Sequence, residues 1–192
     1  MRTLLFATFV ASLLNNSYSE AQTMSRNEVQ IGAGIYANEH VAMDMLENFV
    51  RSLFGSEPKT LEPKTMANLS YYYRVKPKIA VGMGIGYNSA EYRGMHEKAN
   101  KPGYRTKTAV MAFEMKLYYK EKDNVSLYGG AGFGNFYRQD QLISYPDQTY
   151  SDTAITFQIT PLGIRLGKRV GAFVELGYGY KGIANVGVSG RF

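Results

Sequence analysis

The stretch TAVMAFEMKLYYK, Thr108 to Lys120, repeats with a period of two. Ala109, Met111, Phe113, Met115, Leu117 and Tyr119 fall on one face; Thr108, Val110, Ala112, Glu114, Lys116 and Tyr118 fall on the other. Successive side chains of an extended chain point to opposite sides, so this reads as a strand with one greasy face and one mixed face. ANLSYYYRV splits the same way, Ala67, Leu69, Tyr71, Tyr73 and Val75 against Asn68, Ser70, Tyr72 and Arg74. VGAFVELGYGY sets Val170, Ala172, Val174, Leu176, Tyr178 and Tyr180 against Gly171, Phe173, Glu175, Gly177 and Gly179. In AVGMGIGYN the mixed face is glycine at 82, 84 and 86. A dinucleotide loop needs G-x-G-x-x-G between a strand and a helix and occurs once per site. Here the spacing is G-x-G-x-G and the beat returns at Gly130, Gly132 and Gly134, which is strand behaviour.

Extending the count along the chain predicts eight strands, near 27 to 36, 65 to 75, 79 to 92, 105 to 120, 125 to 139, 152 to 166, 170 to 180 and 182 to 192. Eight strands suit a closed barrel. Three connections are tight (KPK, EKDN and GKR), and three are long, over 37 to 64, 93 to 104 and 140 to 151. Short turns at one end and long loops at the other is the pattern of an outer-membrane barrel, whose turns face the periplasm. The hairpin around Lys181 departs from it by being short on the loop side. Pro161 shifts the greasy register from Ile155, Phe157 and Ile159 to Leu162, Ile164 and Leu166, the signature of a bulge, where a strand tolerates proline. In the first long loop, Val41, Met45, Phe49 and Leu53 recur at helical spacing, which predicts a short amphipathic helix capped by Asn38.

Composition bounds the rest. The chain has 192 residues, 16 Tyr, 10 Phe and 20 Gly, and neither Trp nor Cys. Without cysteine there is no disulfide scaffold, thiolate metal site or lipid-attachment cysteine. The net charge of +6 is scattered rather than massed, which argues against nucleic acid and suits anionic lipid head groups. A basic start, the apolar run Leu4 to Leu14 and small residues after it read as a secretory signal over 1–21, with the barrel domain over 22–192. That apolar run is too short for a spanning helix.

Alternation alone fits either a lipocalin-like soluble barrel that binds a ligand or a membrane barrel with a polar interior. Glycine on the mixed face breaks the tie, because a glycine pointing into solvent weakens a sheet for no gain, whereas one pointing inward makes room. Glu114, Lys116 and Tyr118 would then lie between the glycine-lined inner faces of the third and fifth strands. On the greasy face tyrosine gathers near the ends: Tyr73 and Tyr119 at the turn end, Tyr36, Tyr137, Tyr178 and Tyr180 at the loop end. These are candidate interface girdles.

The chain ends on Phe192, in register with the greasy face of VGVSGRF. With this ending and the strand pattern, the sequence resembles small bacterial outer-membrane β-barrels of the OmpX and OmpA transmembrane-domain kind. It resembles more loosely the outer-membrane β-barrel domain proteins of Bacteroidetes. The resemblance covers nearly the whole mature chain and implies an all-β, eight-stranded antiparallel up-and-down transmembrane barrel in the outer membrane of a Gram-negative cell. It also implies that the terminal aromatic residue is read by the barrel-assembly machinery.

The candidate site is the set of inward charges, Glu28, Glu114 and Glu175 against Arg74, Lys116, Arg165 and Arg191. An eight-stranded barrel is just wide enough to be filled by side chains, so these charges are expected to form a self-neutralising plug, the sharper alternative being a narrow pore or proton path. Glu28 is expected to pair with Arg191, because the first and last strands must meet on closure. A lipid A-modifying enzyme would need a histidine with a serine or acid at the outer rim, and only His40 and His96 are available, both in loops. His40 and Asp44 could offer a metal two ligands, which make a poor site. The expectation is a non-enzymatic monomer with no cofactor and no metal, a structural or surface-interaction role through its loops, and outer-membrane lipid and lipopolysaccharide as partners. Lys98, Lys101, Arg105 and Lys107 are candidates for the lipopolysaccharide phosphates.

Overall fold

The computed structural model describes residues 25–35, 37, 65–92, 104–122, 124–143, 147 and 149–192. The segments over which a secretory signal and a first-loop helix are expected, with Tyr36, Lys98, Lys101, His40 and His96, lie outside the described residues. The strands are β1 (Asn27–Ile35), β2 (Thr65–Lys76), β3 (Ile79–Tyr92), β4 (Tyr104–Lys122), β5 (Val125–Leu142), β6 (Thr149–Leu166), β7 (Val170–Gly179) and β8 (Ala184–Arg191). Each pairs antiparallel with its chain neighbour, and β1 pairs with β8 from Glu28↔Arg191 to Ile35↔Ala184, so the ring is closed. Closure leaves no sheet edge around the paired part of the wall.

The two faces follow the sequence alternation. In β2 exposure strictly alternates, with Asn68, Ser70, Tyr72 and Arg74 inside and Ala67, Leu69, Tyr71, Tyr73 and Val75 outside. The same holds along β4 from Arg105 to Lys116. Usual burial is inverted: Glu28, Glu114, Lys116, Arg165 and Glu175 are buried, while Phe113 is 72% and Phe133 60% exposed. Outside, Met83, Phe113, Phe133 and Phe157 stand in one cross-strand row.

Three irregularities shift the register; one, between Arg74 and Lys76 beside the β2–β3 turn, leaves Val75 as the extra residue. At Pro161, Ile159 faces Tyr178 and Leu162 faces Leu176, so β6 carries one residue more than β7 between these pairs. This is the bulge that the proline requires. The third shift lies between Tyr118 and Lys120, opposite Tyr128 and Leu127, leaving Tyr119 as the extra residue. Its hydroxyl donates to the Pro161 carbonyl at 3.2 Å.

The strands also run further than the greasy pattern indicates. The predicted loop over 140 to 151 is paired at both its ends, with Asp140↔Tyr150 and Gln141↔Thr149, whereas β3 ends at Tyr92 as expected and β4 begins opposite it at Tyr104. These extensions are polar on both faces, so no hydrophobic period marks them. Because β6 joins β7 only from Gln158, the upper parts of β3 to β6 stand beyond the shorter strands β7, β8 and β1.

Candidate functional site

The lumen is built in tiers from inward-facing residues. Nearest the turns, Arg74 holds Glu121 with both terminal nitrogens, Nη1 to Oε2 at 2.5 Å and Nη2 to Oε1 at 3.1 Å. Arg191 Nη1 reaches the same carboxylate at 2.7 Å and Ser126 Oγ at 3.1 Å, while its Nε donates to Glu28 Oε2 at 2.6 Å. Ser126 Oγ also donates to Glu121 at 3.1 Å, so four strands, β2, β4, β5 and β8, meet on one glutamate. Arg74 also stacks over the Tyr118 ring, 4.1 Å from its centroid, a favourable place for a guanidinium.

At mid-height Lys116 lies 3.2 Å from Glu28 Oε1 and 4.0 Å from Glu175 Oε1. Its ammonium sits over the Tyr72 ring at 3.8 Å and near Tyr128 at 4.6 Å. Glu28 also accepts from Gln30 Nε2 at 2.7 Å and from the Tyr118 hydroxyl at 3.2 Å. Glu175 accepts from the Tyr128 hydroxyl and Asn185 Nδ2, each at 2.8 Å, and Asn185 in turn accepts from Asn68 at 2.8 Å.

Toward the loops the centre is Glu114. The hydroxyls of Tyr72 and Tyr180 donate to it, and Lys181 Nζ does so at 2.7 Å. Lys181 also donates to Ser70 Oγ at 3.1 Å, and its backbone amide to Gln158 Oε1 at 2.8 Å. Above this tier Met66, Val110, Ala112, Phe136 and Tyr180 form an apolar lid. The internal cavity beside Glu114 and Lys116 has a volume of ≈ 10 Å³, about one water molecule. The described lumen is filled.

The predicted charges all face inward, with two differences in partnership. Arg165 meets no carboxylate among the described residues. Its Nε donates to Ser189 Oγ at 2.6 Å, and its Nη atoms donate to the carbonyls of Gly167, Lys168 and Arg169, at 3.1 Å for Lys168 and 3.2 Å for Arg169. It ties the β6–β7 turn, in which Gly167 has φ 124°, to the lumen wall. Arg74 pairs with Glu121 rather than with any of the three expected glutamates, because the extra residue at Tyr119 turns Glu121 inward.

Tyr180 is a correction. Expected on the greasy face, it is wholly buried. The strand alternation stops at Gly179, whose φ of 141° breaks the extended backbone, and Gly182 at φ 92° completes a turn that folds Tyr180 and Lys181 into the lumen. A side chain disfavours both conformations, which is why glycine flanks the pair. Lys181 and Glu121 are the luminal charges that strict alternation misses. The glycines of GYKG and the shortness of that hairpin are the signals that could have found Lys181.

At the chain's end Phe192 is 67% exposed on the outer face, and its amide and carbonyl are each 3.0 Å from their Asn27 partners. Among the described residues no three His, Cys, Asp or Glu converge as a metal site would need.

No protein-family profile and no curated protein matches the chain. Solved structures do. The attachment invasion locus protein Ail of Yersinia pestis, crystallised with the heparin analogue sucrose octasulfate, is 14% identical with a TM-score of 0.46, covering 87% of this chain and 96% of that one. The N-terminal β-barrel domain of OprF from Pseudomonas aeruginosa is 10% identical with a TM-score of 0.49, covering 88% and 100% respectively. Both are small outer-membrane barrels of the OmpX/OmpA-like type. The class of this chain, an all-β closed ring of eight antiparallel up-and-down strands, stands on its own pairings.

Proposed function

We propose that the chain is an integral outer-membrane barrel, monomeric and non-enzymatic, whose filled lumen braces the wall and whose extracellular loops carry a structural or surface-interaction role. The observation that carries this reading is the inverted wall. Ile31, Leu69, Met83, Ile85, Met111, Phe113, Phe133, Ile159, Val174 and Val188 are all large, apolar and exposed, on every strand of the ring. Soluble monomers rarely expose apolar patches beyond a few hundred Å². In hydrocarbon the same surface is at rest, provided that every backbone group is paired, and ring closure provides this. The partners are outer-membrane lipid and lipopolysaccharide, with the barrel-assembly machinery engaging the Phe192 strand during insertion.

What supports bracing over conduction is that the described lumen is crossed by paired side chains, from Arg191 and Glu28 through Lys116 to Glu114 and Lys181. Three measurements test the proposal. The protein should require detergent for extraction and run as a heat-modifiable band on a denaturing gel; solubility without detergent would sink the reading. In planar bilayers it should show no steady conductance, and stable channels would overturn the bracing role. Replacing His40 and His96 should leave lipid A composition unchanged, and an altered profile would restore the enzyme reading.

A further inference from the structure

We infer that the turn end of the barrel is a binding collar for the phosphate groups of anionic phospholipids in the leaflet that surrounds it. The inference rests on the membrane-barrel reading above. The exposed basic side chains described at this end are Arg26, Lys76, Lys120, Lys122, Lys168 and Arg169, joined by the half-buried Lys78. Among the described residues none of those six takes part in an ion pair. Glu121, the described carboxylate of the β4–β5 turn, is turned inward and spent on Arg74 and Arg191. Asp123 of the same turn lies outside the described residues.

Height and distribution identify the occupant. The cations follow directly on an exposed apolar rim formed by Val75, Val125, Leu166 and Val170, with Tyr73 and Tyr119 on the same outer face. Long basic side chains at such a boundary lay their methylene stems on apolar surface and place their charge at head-group level. Three turns and the start of β1 contribute, so the charge encircles the barrel instead of massing on one side. A protein or glycan strand would be met by a one-sided patch, whereas an annulus of lipid meets a ring. Arg165 adds to the design from within, binding the carbonyls of Lys168 and Arg169 and so fixing the turn that carries them. At the opposite end the described charge is mixed in sign: Arg105 pairs with Glu91 and Arg138 with Asp140 at 2.9 Å, and the exposed Lys107 shares that end with the exposed Asp147 and Asp152.

The test uses the full mature chain reconstituted in phosphatidylcholine vesicles with and without phosphatidylglycerol, with spin-labelled lipids of each type reporting the lipid held at the protein surface. A Lys or Arg close to an anionic surface favours it by about fivefold. Averaged over the annulus, a preference of about threefold for the phosphatidylglycerol label is expected at low salt, collapsing at high salt. The combined variant Lys76→Gln, Lys120→Gln, Lys122→Gln, Lys168→Gln and Arg169→Gln should abolish the preference, and Arg105→Gln with Lys107→Gln should preserve it. Equal uptake of both labels by a heat-modifiable, inserted barrel would overturn the collar and leave the barrel standing. A preference that survives the turn variant would also overturn it. Retention on purified cell-wall glycan without lipid selectivity would replace lipid by glycan as the ligand. Failure to insert in any vesicle would remove the barrel reading itself. The salt dependence of the unsubstituted protein decides the matter even if the variant does not fold.

Discussion

At the turn end of the lumen, Arg74 and Arg191 bridge three strands through Glu121; at the loop end, Lys181 enters on a folded-in turn and meets Glu114 between two tyrosines. The first arrangement joins residues of the wall itself. The second joins the wall to a hairpin that closes over it. The difference follows from the connections. Tight turns hold the strand ends in fixed register, so wall side chains alone can pair there. Where β7 and β8 stop short, the lumen would open beneath the longer strands β3 to β6, and the chain fills it with its own hairpin. A buried charge without its partner is costly in either place, but only the hairpin has somewhere to relax.

The largest effect is therefore expected from Glu28→Ala. Glu28 accepts from Arg191, Lys116, Gln30 and Tyr118, so removing it takes the shared acceptor from four buried donors and leaves Lys116 only Glu175 at 4.0 Å and Arg191 only Glu121 as carboxylate partners. Breaking a buried pair from one side costs about 3–5 kcal/mol. Urea unfolding of the vesicle-embedded barrel, followed by its heat-modifiable band and circular dichroism, should show a loss of that size. A loss below that of any loop-end variant would break the contrast between the ends.

Lys181→Ala should cost less, about 2 kcal/mol, because Glu114 keeps two tyrosine hydroxyls and the hairpin can move aside to admit water. The same variant should render the 179–182 backbone amides faster in hydrogen exchange while leaving those of β1 and β8 protected at the turn end. Uniform acceleration along both strands would mean that the two tiers unfold as one unit, and the distinction between wall and hairpin would fall.

The legibility of the fold has the same physical origin as this contrast. A face that meets lipid must be apolar at every second position, and the face behind it must fit a narrow lumen, so period two and the glycine beat carry both strand existence and strand orientation. Val81, Met83 and Ile85 outside with Gly82, Gly84 and Gly86 inside are readable from AVGMGIGYN alone. What alternation does not carry is any place where phase slips. One inserted residue at Tyr119 brought Glu121 inside, and two positive-φ glycines brought Lys181 and Tyr180 inside. The bulge at Pro161 was legible because proline marks it, whereas Tyr119 is as good a strand residue as any. The upper parts of β5 and β6 were missed for another reason: above the apolar band both faces are polar, and pairing there leaves no hydrophobic trace.

The smallest effect tests whether the glycine beat serves the loop-end tier in particular. A Cβ built on Gly84 would meet the Glu114 carboxylate and lie 3.0 Å from Ser70 Oγ, both of which belong to the Lys181 cluster. Gly84→Ala must therefore displace Glu114 from some of its donors, at a cost of about 1 kcal/mol, the lower edge of ordinary overpacking because a glutamate side chain can shift. Gly190→Ala, where nothing lies within 4 Å, should stay within about 0.5 kcal/mol of the parent. If Gly84→Ala is additive with Lys181→Ala, the added methyl acts on strand geometry rather than on the Glu114 cluster. If the double variant loses no more than Lys181→Ala alone, the methyl acts through the same carboxylate, and the glycine is there to seat it.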